Sequence, residues 1–237
     1  MSILVLVRHG QSTWNLEKRF TGWVDVDLTE NGKSEAEKAG ILIKSRDIEI
    51  NFYYSSLQLR ANNTLKIIQK VLNEKKNFTR AWQLNERHYG ALTGLNKLEM
   101  SKKIGEDKVH EFRRSWNVRP EVLNRGSKFH PLNIDAYKDI PRESIPDTES
   151  LKDTYGRVIK YYEEEIIDKL KDNNILISAH GNSIRALCKN LFNLDDIQIS
   201  KLEIPTGNPL IIEFNSQNKI ILCEYLDRER AKDLVVF

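Results

Sequence analysis

Two cysteines in 237 residues, Cys188 and Cys223, leave room for at most one disulfide and fit no metal-ligand spacing. Both sit in apolar segments, where a free thiol packs as a small hydrophobe, as is usual in reducing compartments. Eleven glycines and six prolines are too few for a collagen-like or low-complexity chain. No apolar run approaches the ~20 residues of a membrane span. The opening Met1-Ser2-Ile3-Leu4-Val5-Leu6-Val7-Arg8 has no basic segment before its apolar stretch and no small-residue cleavage site after it, so it is expected to be a first strand rather than a signal peptide. Charge of one sign is also scarce. The 37 Lys+Arg and 34 Asp+Glu leave a net +3, too little to argue for nucleic acid. A cytoplasmic protein is expected, with no nucleic-acid and no membrane partner. No His/Asp/Glu grouping has ligand spacing, so no metal is expected.

What is present is an ordinary globular chain, 40% hydrophobic and 30% charged. Ile3–Val7 is a continuous Val/Ile/Leu run, the mark of a strand buried on both faces. Phe52–Ser55 and Ile175–Ala179 read as two more strands, and 210–214 with 220–225 as a hairpin closed by Asn215-Ser216-Gln217-Asn218. Thr29 is placed to cap a helix over 30–45, on which Ala36, Ala39, Gly40 and Ile43 share a face. Helical spacing recurs at Leu65, Ile68 and Leu72, and again at Val109, Phe112 and Trp116. It is longest at Leu151, Tyr155, Val158, Tyr162, Ile166 and Leu170, and a further helix carries Ile184, Leu187, Cys188 and Leu191. Residues 117–147 hold Pro120, Pro131, Pro141 and Pro146 and show no period. They read as an irregular, substrate-covering excursion. Strands alternating with helices predict one three-layer α/β/α domain over 1–237, with a mostly parallel central sheet.

Two strands end in the same way. One runs into Arg8-His9-Gly10 and the other into His180-Gly181-Asn182. In open α/β sheets ligands bind beyond the carboxyl ends of the strands. If these strands are neighbours, both imidazoles lie over one crevice. A glycine after each histidine suggests close approach of backbone to ligand. Asn182-Ser183 would open a helix whose free N–H groups favour an anion. Neutral imidazole is a nucleophile toward phosphorus, and arginine forks suit the oxygens of a transferring phosphoryl group. Arg8 and, after the second strand, Arg60 are the candidate cations. Glu86, in Leu84-Asn85-Glu86-Arg87-His88-Tyr89-Gly90, is the candidate acid for the leaving oxygen.

These residues belong to longer motifs. Arg8-His9-Gly10-Gln11-Ser12, Asn15, Phe20-Thr21-Gly22-Trp23 and Asp25-Val26-Asp27-Leu28-Thr29 resemble the signature of the histidine phosphatase superfamily. The Leu84–Leu92 segment, Gly94-Leu95-Asn96-Lys97, Arg113-Arg114, Thr148-Glu149-Ser150-Leu151, Ala179–Leu187 and Ile204-Pro205-Thr206-Gly207 narrow the resemblance. They are similar to the 2,3-bisphosphoglycerate-dependent phosphoglycerate mutases, over nearly the whole chain.

The resemblance implies a phosphoglycerate-mutase-like fold and a ping-pong exchange of 3- and 2-phosphoglycerate in glycolysis and gluconeogenesis. His9 would carry the phosphoryl group, and 2,3-bisphosphoglycerate would serve as primer. Arg8, Arg60, His180 and the backbone at Gly181 would hold the transferring group, with Glu86 as acid and base. Ser12, Asn15, Thr21 and Gly22 would line the phosphate pocket. Tyr89, Lys97, Arg113, Arg114 and Asn182 would hold the rest of the substrate. The partners implied are small phosphoglycerates and, for assembly, a homodimer or homotetramer.

The chain departs from the pattern at two places. It carries Asp227-Arg228-Glu229-Arg230 and a short tail, Leu234-Val235-Val236-Phe237, expected to dock on the body. A shorter tail implies a less shielded phosphohistidine and faster hydrolysis. Trp116-Asn117-Val118-Arg119-Pro120 is the second, with Arg119 expected to be solvated. A phosphatase using the same His9, and a non-catalytic phosphate-binding module, are the competing readings. The second cationic patch at Lys97, Arg113 and Arg114 speaks against the first. The presence of His9, His180, Glu86 and Arg60 speaks against the second.

Overall fold

A computed structural model describes residues 1–231. In chain order the elements are β1 (Ser2–Arg8), α1 (Thr13–Leu16), α2 (Glu30–Lys44), β2 (Phe52–Ser55), α3 (Leu59–Leu72), β3 (Thr79–Arg80), α4 (Lys97–Ile104) and α5 (Glu106–Arg114). After a long coil come α6 (Leu151–Tyr161), a π-helical turn (Tyr162–Ile166), α7 (Ile167–Leu170), β4 (Ile175–Ala179), α8 (Gly181–Leu191), α9 (Asp196–Lys201), β5 (Leu210–Phe214) and β6 (Ile220–Tyr225).

The strands form one sheet in the order β3-β2-β4-β1-β5-β6. The first four run parallel, and β5 and β6 extend the sheet antiparallel. The alternation along β1 shows why its sequence is apolar throughout. Leu4 and Leu6 face α6 and α8, where they meet Val158, Ile184 and Leu187. Val5 and Val7 face α2 and α3, where they meet Ala39, Ile43, Leu65 and Ile68. A strand covered by helices on both sides has no solvent face for polar residues. The three layers and the mostly parallel sheet are those the sequence leads one to expect.

α2 starts where Thr29 caps it, its hydroxyl accepting from the Gly32 amide at 3.0 Å. This end of α2 lies directly against the turn after His9. A Cβ on Gly10 would stand 2.1 Å from the Gly32 carbonyl oxygen, and one on Gly32 would stand 2.0 Å from that of Gln11. Gly10 is therefore demanded by the helix packed on it. Gly181 is not crowded: a Cβ there would meet Arg8 at 3.6 Å, ordinary contact. The expectation that each glycine makes room for a ligand fails at Gly10, where the close neighbour is Gly32.

Four regions differ from the sequence pattern. Trp116 is not on the helix with Val109 and Phe112, because extended Ser115 ends α5. Its ring meets Tyr155 edge-on at 5.3 Å instead. The long helix is interrupted by the π-turn at Tyr162–Ile166. Its buried positions Tyr162, Ile166 and Leu170 step by four twice running, which overshoots a 3.6-residue turn and fits a wider one. The 117–147 excursion is irregular, with three short 3-10 turns, but it is pinned rather than lid-like. Tyr137, Ile140 and Ile145 pack with Trp23, and the Tyr137 hydroxyl donates to the Trp23 carbonyl. Arg119 is exposed but not simply solvated, since it forms a fork on Asp153 at the start of α6. At the C-terminal end, Asp227 pairs with Lys38 of α2 at 2.6 Å, and Arg230 donates to the Thr206 carbonyl at 2.7 Å. The expected docking of Leu234–Phe237 lies outside the described residues. Cys188 is buried and Cys223 partly so, and both are free thiols.

Candidate active site

β1 and β4 are neighbours, with Arg8 in register with Ala179, and the His9 amide donates to the Ala179 carbonyl at 3.0 Å. The rings of His9 and His180 consequently lie 5.0 Å apart, both buried. His9 Nδ1 stands 2.7 Å from the Gly10 carbonyl oxygen. A carbonyl only accepts, so Nδ1 carries the proton and Nε2 keeps its lone pair. Burial, then the nearby Arg60 and Arg8 guanidinium groups, hold the His9 pKa well below the usual 6.5. His180 is depressed in the same way, by burial first and then by Arg60, His9 and Arg8. Both rings are neutral at pH 7, which is the nucleophilic form.

The cations around them are fixed by the fold. Arg60 is buried and donates through Nε to His9 Nε2 at 3.3 Å, and through its other nitrogens to the Val24 and Gly22 carbonyls, both at 2.9 Å. Arg8 donates Nη1 to the Ile204 carbonyl at 2.7 Å, while its buried Nε has no partner among the described residues. His180 Nδ1 is likewise buried and unpartnered. An unmatched buried guanidinium N–H costs free energy, so its presence beside the two imidazoles indicates a ligand that supplies an acceptor.

Glu86 closes the crevice from the other side. Its Oε1 accepts from the Arg87 amide at 2.8 Å and from Asn182 Nδ2 at 2.9 Å and N at 3.2 Å. The carboxylate thus stands at the N-terminus of α8, where a negative charge is favoured. Oε2 has no partner among the described residues.

The crevice opens into a pocket of about 140 Å³ lined by Arg8, His9, Asn15, Thr21, Gly22, Arg60, Glu86, Tyr89, Lys97, Arg113, Arg114, Gly181 and Asn182. Every candidate residue except two lines it. Ser12 is turned away, its hydroxyl accepting from Asn15 N at 3.2 Å to cap α1. His180 lies behind the lining, against His9. The residues of 117–147 are absent from the lining. Sequence reasoning missed Arg185 and Glu203, which complete it. Glu203 ion-pairs with Arg114 and, at 3.6 Å, with Arg185.

Crowded cations alter their neighbours. The Tyr89 pKa is lowered although burial alone would raise it, because Arg87, Lys97 and Arg113 favour the phenolate. Burial is the main cause that brings the Lys97 ammonium down to about 8, with Arg113 and Arg8 adding to it. Lys97 is thus cationic below that pH and neutral above it. kcat/KM, which reports free-enzyme groups, should fall for an anionic substrate as pH rises through about 8. Lys97→Arg should move that limb upward, since a guanidinium stays charged. A pH profile of both proteins checks this.

The loop carrying Glu86 is held by a pair that sequence reasoning also missed. Arg157 forks onto Glu149 at 2.7 and 2.9 Å and takes the carbonyls of Gln83, Asn85 and Glu86. Glu149 Oε2 accepts from the His88 amide at 2.7 Å. Both side chains are buried. Breaking such a pair leaves an uncompensated charge, so Arg157→Met should cost about 3–5 kcal/mol of stability in denaturant unfolding.

A cationic pocket with a neutral histidine at its floor is the arrangement that phosphoryl chemistry calls for. The chain belongs to the histidine phosphatase superfamily (branch 1), whose family model matches residues 4–130 and 127–225. It is 67% identical over 238 residues, covering all of both chains, to the 2,3-bisphosphoglycerate-dependent phosphoglycerate mutase of Pelagibacter ubique. It is 47% identical over 238 residues to the protein of the same name from Caulobacter sp., covering 99% of this chain and 98% of that one. Among solved structures, a mycobacterial glucosyl-3-phosphoglycerate phosphatase with bound VO3 superposes with a TM-score of 0.68 at 20% identity, covering 94% of this chain and 97% of that one. The alpha-ribazole phosphatase of Shigella flexneri gives 0.67 at 18% identity, covering 99% of each chain. At those identities the two structures speak for the fold. Among the described residues no helix is long and apolar enough to cross a membrane.

Proposed function

We propose that this chain interconverts 3-phosphoglycerate and 2-phosphoglycerate through a phosphohistidine at His9, primed by 2,3-bisphosphoglycerate. The observation that carries the reading is the charge of the pocket. Arg8, Arg60, Lys97, Arg113, Arg114 and Arg185 face only Glu86 and Glu203. A phosphate monoester carries about −1.5 to −2 at pH 7, so two phosphates and a carboxylate reach roughly −4 to −5. A site for one phosphate needs about half the cationic surplus present here.

His9 Nε2 bears the phosphoryl group and delivers it to the 2-hydroxyl of 3-phosphoglycerate. Glu86 takes the hydroxyl proton as the new P–O bond forms and the P–N bond breaks. The 2,3-bisphosphorylated product turns end for end in the pocket. His9 Nε2 then attacks the 3-phosphorus, and Glu86 returns the proton to the 3-oxygen, leaving 2-phosphoglycerate. Arg8, Arg60, His180 and the Gly181 amide hold the transferring oxygens in both halves. Asn15, Thr21 and Gly22 border that phosphate. Lys97, Arg113, Arg114, Tyr89 and Asn182 hold the distal phosphate and carboxylate. Ser12 acts through Asn15 by capping α1. The setting is glycolysis and gluconeogenesis in the cytoplasm.

A phosphorus NMR time course on 3-phosphoglycerate tests the function. Conversion to 2-phosphoglycerate should depend on a trace of 2,3-bisphosphoglycerate, release little free phosphate and proceed unchanged with a chelator. Free phosphate without 2-phosphoglycerate would make this a phosphatase.

A further inference from the structure

The loop between β2 and α3 places a residue that the proposed reaction does not use. Ser56 is buried, and its Oγ lies 2.8 Å from His180 Nε2. The same oxygen accepts from the Gln58 amide at 3.1 Å. Among the described residues it makes no other hydrogen bond. A hydroxyl has one proton to give, and among the described residues His180 Nε2 is its one hydrogen-bond acceptor. If Nε2 carried the proton instead, the buried Ser56 hydroxyl hydrogen would have no acceptor among the described residues. With the hydroxyl donating into Nε2 that hydrogen is matched, and Nδ1 carries its N–H beside His9. Burial first, then Arg60, His9, Arg8 and Arg157, holds the His180 pKa well below its usual value, which disfavours the doubly protonated ring.

We propose that Ser56 is a positioning residue that fixes the tautomer of His180, so that the ring offers Nδ1–H to an oxyanion held at His9. This rests on the role given to His180 above, and deepens it. A bare Nδ1 would repel a phosphoryl oxygen, whereas an N–H hydrogen-bonds it without adding charge. Neutral His180 can therefore serve both the loaded and the empty state of His9 with no proton exchange.

The test reads the ring itself. In protein with ¹⁵N-labelled histidines, the His180 signals are assigned by their loss in His180→Asn. They are expected to show a protonated Nδ1 and a bare Nε2 at pH 7, before any substrate is added. A protonated Nε2 would overturn the proposal. Ser56→Ala should give a mixture of tautomers and at least a tenfold slower phosphoryl transfer, with KM for 3-phosphoglycerate unchanged. Ser56→Thr, which keeps the hydroxyl, should restore the single tautomer. Ser56→Ala with one Nδ1–H tautomer and the wild-type rate would also overturn it. Because the spectra are read without turnover, failure here is separable from failure of the mutase reading, which product analysis alone reveals.

Discussion

His9→Ala should take up no phosphoryl group from labelled 2,3-bisphosphoglycerate, and its turnover should fall by about 10⁶-fold, the scale on which deletion of a covalent nucleophile acts. The expectation follows from valence. His9 Nδ1 is committed to the Gly10 carbonyl, so Nε2, approached by Arg60 Nε at 3.3 Å, is the nitrogen that keeps the nucleophilic lone pair. The other nearby imidazole, His180, has its Nε2 engaged by Ser56 and is expected to carry the proton on Nδ1. Its one lone pair is taken up by the Ser56 hydroxyl, which leaves none free to take over the attack. The buried ring is neutral, so its removal unbalances no charge, and the variant should still unfold cooperatively. Labelled phosphoprotein in His9→Ala would assign the nucleophile elsewhere.

Glu86→Gln should slow turnover by about 10²–10⁴-fold, the usual contribution of a placed acid–base group. The substitution is chosen for its geometry. A glutamine keeps the oxygen that accepts from the Arg87 amide and from Asn182, so the start of α8 and the loop stay together. What it loses is an oxygen able to take the hydroxyl proton. The loss should fall on kcat more than on KM, because the proton moves only in the transition state. Phosphorylation of His9 from 2,3-bisphosphoglycerate should also slow, since the same proton must return to the 3-oxygen. Stopped-flow and steady-state rates on the variant check both, and near-wild-type turnover would place the proton transfer on another group.

The sequence makes the floor of the site visible because that floor is local. A buried strand that stops at His-Gly can be seen twice in the chain, and the remaining condition, that the strands be adjacent, is met by β1 and β4. The cations were visible as residues, but not as a pocket. Arg113 and Arg114 are adjacent in sequence and would ordinarily mark a solvated helix end; only the folded chain brings both to the lining of one pocket. The supporting contacts were invisible for a different reason. Ser56 reaches His180 across 124 positions, and Arg157 reaches back to Gln83 across 74. No periodicity records such pairings. Glu203 was hidden by its sign, since a carboxylate in a pocket for anions is not what charge complementarity suggests. Trp116 shows the opposite error, a spacing that continues past the end of its helix. The irregular course of 117–147 was legible from its prolines, whereas its anchor, Tyr137 against Trp23, depends on a contact 114 residues away.

The central claim is that one phosphoryl group passes from His9 to the glycerate and is not lost to water. The most direct measurement is a single turnover with enzyme labelled at His9 and then mixed with excess unlabelled 3-phosphoglycerate. The account predicts that the label leaves the protein as 2,3-bisphosphoglycerate and then 2-phosphoglycerate, with little inorganic phosphate. Label released directly as inorganic phosphate, at the same rate with and without 3-phosphoglycerate, would contradict it.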